Sequence, residues 1–126
     1  MADFIANEVF DLGLSQLSTI VENLYICSQQ PATYAEASAT YALGSKASPS
    51  ITGPTDAGAG GGRQMTVGAI SDGAVSVTGT ATHFALTDDS VSLLLIAANL
   101  ASSQAVTSGN PFTLTAINIQ IPDPTT

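Results

Sequence analysis

Basic side chains are nearly missing from this chain: Lys46 and Arg63 stand against ten acids, for a net charge of −8. Gripping a polyanion takes several Lys or Arg side chains, so nucleic acid is excluded as a partner. Anionic membrane surfaces are excluded for the same reason. Tryptophan is absent, and Tyr25, Tyr34 and Tyr41 are too scattered for a base-stacking platform. Cys27 is the single cysteine, so the fold is expected without a disulfide, as suits synthesis in a reducing cytoplasm. One cysteine and one histidine, His83, exclude a zinc site within one chain unless carboxylates or subunits share it. Long apolar runs are missing too. Val91 to Leu100 is about half of the roughly 20 residues a spanning helix needs, and Ser92 and Asn99 interrupt it. The first residues carry Asp3 and Glu8 where a signal peptide would carry bases.

What is present is apolar and hydroxyl-rich. Of 126 residues, 44% are hydrophobic and 29 are Ser or Thr. That length fits one domain, which buries about two-thirds of the surface of its extended chain. Periodic apolar blocks exclude disorder.

Residues 3–20 read as a helix. Asp3 is its N-cap, and Ile5, Val9 and Leu12, then Phe10, Leu14 and Leu17, recur at spacings of three and four. Residues 23–51 read as mixed strand and loop, with a strand at 23–28, one helical turn within 29–41, and a weak strand from Leu43 to Ile51. Residues 52–62 form a Gly-rich loop. Residues 63–121 read as antiparallel strands. Within them, Ser71-Asp72-Gly73 is a hairpin turn, Gly79 a bend and Thr87 to Ser90 another turn. Val91–Ala97 and Leu100–Val106 read as separate strands. Phe112 to Ile121 reads as one strand whose apolar parity reverses at Ile117, through a bulge near Ala116-Ile117. Residues 122–126 form an extended tail, because Pro122 and Pro124 stop the sheet. The expected class is mainly β: a single-domain antiparallel sandwich or barrel-like fold with one N-terminal helix.

The chemical motifs are weak. His83 lies on a strand beside Phe84, and catalysis would need a nucleophile and an orienting carboxylate beside it. Cys27, between Ile26 and Ser28, reads as a small apolar packer. Gly58 to Arg63 has phosphate-loop glycines but leads into a strand, not into a helix through Gly-Lys-Ser/Thr. Asp88-Asp89 lacks the twelve-residue oxygen pattern of an EF-hand. No enzyme, cofactor or metal is expected. Docking elements are the better reading: the helix through Phe4, Ile5 and Phe10, the loop through Gly58, Gly60 and Arg63, and the tail through Ile121, Pro122 and Pro124.

Several segments also resemble a family of small proteins of tailed bacteriophages and prophages. They are Leu24-Tyr-Ile-Cys-Ser-Gln-Gln-Pro, Thr80-Ala-Thr-His-Phe-Ala-Leu-Thr-Asp, Ser103-Gln-Ala-Val-Thr-Ser-Gly-Asn, and Phe112 to Pro124 ending Ile-Pro-Asp-Pro. Phe84 stands where that family more often has Trp. The resemblance implies a virion structural protein and supplies no catalytic residues; head and tail both stay open. The expectation is a capsid decoration (cement) protein on the shell exterior. It would bridge capsomers through the major capsid protein and copies of itself, with a trimer favoured. A tail, head-fibre or baseplate component is the alternative, and a host-receptor-binding module a second.

Overall fold

The computed structural model describes residues 15–56 and 62–121, of which 15–20 are helical. Nine strands follow: β1 Asn23–Cys27, β2 Ala42–Ala47, β3 Ile51–Asp56, β4 Arg63–Val67, β5 Ile70–Val75, β6 Gly79–Asp88, β7 Leu93–Val106, β8 Pro111–Leu114 and β9 Ile117–Ile121. They make a six-stranded sheet in the order β7-β6-β1-β2-β5-β8 and a three-stranded sheet in the order β3-β4-β9. Every strand pairing is antiparallel. The fold is therefore mainly β and antiparallel with a short helix near the N-terminus, the class the periodicity implies. Two compact units divide it. Ile20–Pro49 with Ile70–Leu114 carries the larger sheet, and Ser50–Ala69 lies in the unit of the smaller one.

β1 explains the arrangement of the larger sheet. It lies between β2 and β6, so neither of its edges is open. Leu24 faces Leu86 and Ile26 faces Phe84 across the β1–β6 ladder, and all four are buried. Burying such a side chain contributes roughly 1.5–3 kcal/mol, so these two cross-strand pairs anchor the sheet. The opposite face of β1 carries Asn23, Tyr25 and Cys27, by the period-2 rule. Over Cys27 sits a π-helical turn, Glu36–Thr40, within the expected loop 29–41. The Tyr41 N–H donates to the Glu36 carbonyl at 2.9 Å, five residues back. Thr33 and Glu36 start this turn. The Glu36 N–H donates to Thr33 Oγ1 at 3.2 Å, and Glu36 Oε1 accepts from the Ala32 N–H at 2.8 Å. The turn brings Ala37 onto Cys27 and Ala85, and Tyr25, Tyr41, Leu94 and Ala97 pack around them.

Four local expectations are corrected. The Asp72-Gly73 pair makes no hairpin turn; it lies inside β5. Gly73 registers with Phe112 of β8, and a Cβ at Gly73 would sit 2.2 Å from the Phe112 ring. The aromatic ring occupies the space that glycine leaves, and this long-range packing outweighs the turn propensity. Residues 52–56 are strand β3 and not loop. Gly53 has φ 113°, the Gly53-Pro54 peptide is cis, and the β3–β4 register skips both residues. A strand with a proline fits an edge position, and β3 is an edge. Residues 91–106 are not two strands: a single 14-residue strand, β7, covers 93–106. Bulges relative to β6 keep it in one ladder. Finally, the reversed parity at Ile117 marks a change of sheet, since β8 and β9 belong to different sheets. The expected helix is described only for 15–20; the rest of 3–20, the loop core 57–61 and the tail 122–126 lie outside the described residues.

The Gly73–Phe112 contact yields a measurable expectation. Gly73→Ala destabilises by roughly 1–3 kcal/mol through overpacking, and Phe112→Ala by about 3–5 kcal/mol. In the double variant the cost of Gly73→Ala falls well below its single value, because the ring it strikes is gone. Urea unfolding midpoints of the four proteins check this.

Candidate functional site

The densest polar arrangement closes one end of the β1–β6 pair. Thr87 is fully buried, and a buried hydroxyl needs a partner. Its Oγ1 donates to Asp89 Oδ1 at 2.6 Å. Asp89 Oδ2 accepts from the Asn23 side-chain amide and, at 3.3 Å, from the Tyr25 hydroxyl. One carboxylate thus ties two residues of β1 to the end of β6. Burial pushes the Tyr25 phenol up to about 12, and the Asp89 charge adds to the shift. Beside it Asp88 Oδ1 accepts from the Ser90 hydroxyl at 2.6 Å and the Ser90 N–H at 3.1 Å. The Ser90 hydroxyl foremost holds the Asp88 carboxyl below the ordinary aspartate value. Glu22 Oε1 takes the same Ser90 N–H at 2.6 Å. These acids tie down a turn. Among the described residues, no group of three or more His, Cys, Asp or Glu is placed to hold a metal ion.

Cys27 and His83 are brought together more closely than their sequence separation suggests: they are direct Cα partners in the β1–β6 ladder. Their chemistry does not make a dyad. The Cys27 thiol donates to the Ala37 carbonyl at 3.6 Å, has no exposure, and is pushed up by burial to about 11. A nucleophilic thiol needs the opposite shift. His83 Nδ1 lies 2.7 Å from Thr82 Oγ1, and that hydroxyl lies 3.0 Å from the Ser28 carbonyl. Both contacts are satisfied when Nδ1–H donates to the hydroxyl and the hydroxyl donates to Ser28. His83 is therefore oriented by a hydroxyl, whereas a triad uses a carboxylate.

Among the residues expected to dock, Arg63 and Ile121 fall in described backbone. Arg63 opens β4, half-buried, in register with Asp56 of β3 and with Ile121 of β9. Phe4, Ile5, Phe10, Gly58, Gly60, Pro122 and Pro124 lie outside the described residues. A shallow depression of about 350 Å³ is lined by residues 72–75 of β5 and by 109–111. Asp72 is the ionisable group there, and its carboxylate meets Lys46 Nζ at 3.0 Å. This exposed pair contributes little stability. Sequence reasoning missed the Asp89 cluster, whose members Asn23 and Asp89 are 66 residues apart. It also missed the Thr33-Tyr-Ala-Glu36 start of the π turn, although that Ser/Thr-x-x-Glu spacing is a legible signal. Compared with protein families, curated proteins and solved structures, the chain matches none.

Two expectations follow from these shifts. Native Cys27 reacts with iodoacetamide at least roughly 100-fold more slowly than the urea-unfolded chain at the same mildly alkaline pH. Mass spectrometry of the adduct over time measures the ratio. Tyr25, with its folded value raised, favours folding fully below the ordinary phenol value. That contribution is lost as pH rises from about 10 through about 12. Ultraviolet titration should show a phenolate step near 12 that Tyr25→Phe removes, with stability falling across the same window in the parent protein.

Proposed function

We propose that this protein is a structural component of a tailed-phage virion, most concretely a decoration protein on the outside of the capsid. The observation that carries the reading is that its reactive side chains are engaged in holding the fold together. Asp89 is spent on Asn23, Tyr25 and Thr87, Asp88 on Ser90, and the Cys27 thiol is sealed under Ala37. Such side chains stabilise a building block. The resemblance of the Cys27-Ser28-Gln29-Gln30-Pro31 and Thr82-His83-Phe84-Ala85 segments to small phage proteins points the same way.

Charge favours the exterior of a shell. A chain of net charge −8 is repelled by packaged DNA on the inner face and is tolerated on the outer one. In this reading the protein sits as trimers at local three-fold positions and bridges capsomers of the major capsid protein. Many weak contacts then add up, because avidity exceeds single-site affinity by about 10²–10⁴.

Quantitative mass spectrometry of virions tests the reading. A decoration protein is present at the same order of copies as the major capsid protein. A copy number roughly ten-fold or more below that overturns it, and points to a tail, head-fibre or baseplate component set by the smaller symmetry of those structures. Retention of the isolated protein on host cells would point instead to receptor binding.

A further inference from the structure

We infer that Asp72 is a self-modification site: its carboxyl condenses with the Gly73 backbone nitrogen to a succinimide that reopens as isoaspartate, and pairing with β8 holds this reaction back. The inference stands apart from the virion reading and needs no partner. Of all the Asp and Asn residues in the chain, Asp72 alone is followed by glycine. With no side chain on Gly73, nothing of the next residue shields its nitrogen from the neighbouring carboxyl. Asn110 is followed by Pro111, whose nitrogen carries no hydrogen to lose. The Asp72 side chain is 69% exposed, and it lines the open depression formed by residues 72–75 and 109–111. Water therefore reaches the group that must lose a water and later regain one.

The step balances without a co-reactant. The Gly73 nitrogen loses its proton and attacks Asp72 Cγ; an N–Cγ bond forms, and one carboxyl oxygen leaves as water. Water then adds at one of the two imide carbonyls. Cleaving the new N–Cγ bond restores aspartate, and cleaving the original bond to the Asp72 backbone carbonyl carbon gives isoaspartate. In that product the main chain runs through Cβ and Cγ, one atom longer, and the free carboxylate sits on Cα.

The fold opposes ring closure. A five-membered imide needs the Asp72 Cβ and the Gly73 nitrogen eclipsed about the Cα–C bond. A strand, with ψ about +135°, does not bring them there, and nor does the near-helical residue of a bulge. Asp72 lies in β5 between Ile70 and Gly73, where the register with β8 shifts. β2 pairs with β5 at Ala74 and Val75, so at Gly73 the ladder partner is Phe112 of β8. Turning the Asp72–Gly73 peptide towards the ring geometry drags Gly73 from beneath the Phe112 ring, where there is no spare room. The Lys46 ion pair to the same carboxylate is exposed and restrains it only weakly. β8 is therefore the gate: a four-residue edge strand, of the kind that opens locally before the core does. Isoaspartate is one atom too long for the Gly73–Phe112 register, so a converted chain does not close again as the parent does.

The full chain, kept warm at neutral pH both folded and in urea, tests this. Electron-transfer fragmentation distinguishes isoaspartate from aspartate at position 72, and the succinimide shows as the loss of one water. The unfolded chain should accumulate isoaspartate there at least roughly 10-fold faster than the native chain, because native conversion waits on local opening. Phe112→Leu, which loosens the gate, should raise the native rate several-fold. Leu24→Val, a trim in the β1 core, should leave it near the parent rate. Circular dichroism confirms that both variants fold, and chain recovered with isoaspartate should unfold at lower urea than the parent. No isoaspartate at position 72 in the unfolded chain removes the site. A native rate equal to the unfolded one, or raised equally by both variants, overturns gating by β8. Neither result bears on the copy number that tests the virion reading.

Discussion

Because β1 has a strand on either side and packed residues on both faces, the rest of the larger unit must supply partners for everything it carries. Leu24 and Ile26 are met by Leu86 and Phe84, which sets the register of β6. A one-residue slip would turn those side chains onto the wrong face and expose all four. On the other face Cys27 is small and apolar, so a lid is needed, and the π turn through Ala37 provides it. At the open end Asn23 and Tyr25 are polar, and Asp89 answers both. One strand of five residues thus specifies its neighbours, its cover and the turn beyond it.

The sheet edges show a second constraint, the cost of backbone groups left without partners. β3 interrupts its ladder at Gly53-Pro54, and β8 is short with a leading proline. β7 is bent by bulges but keeps a regular, neutral stretch at its centre. β9, the other edge of the smaller sheet, is only five residues long.

Much of the secondary structure was legible wherever local periodicity and tertiary packing agree. β1, the starts of β2, β4 and β6 and the helical turn before Tyr41 fall where apolar alternation and turn residues place them, whereas the strand expected over 43–51 ends at Ala47 and β6 runs on to Asp88 through the start of the expected turn. The errors cluster where a distant residue overrules a local signal. Asp72-Gly73 reads as a hairpin until Phe112 lies on Gly73. Ala98-Asn99 has no turn chemistry, so β7 runs on through it and absorbs the mismatch in bulges. The parity reversal at Ile117 was visible, but its cause, passage from one sheet to the other, was not. Of the candidate docking residues, Arg63 and Ile121 can be placed in a ladder, and the others fall outside the described residues.

Composition and periodicity determined the fold class and ruled out a disulfide within these 126 residues, because these depend on residue totals and near-neighbour spacing. Tertiary structure alone decided that Cys27 faces His83 as a sealed thiol, that Asp89 closes the β1–β6 end, and that β7 is an edge. The reason is physical. Strand order and register are set by contacts between residues far apart in the chain, whose energies no local pattern records.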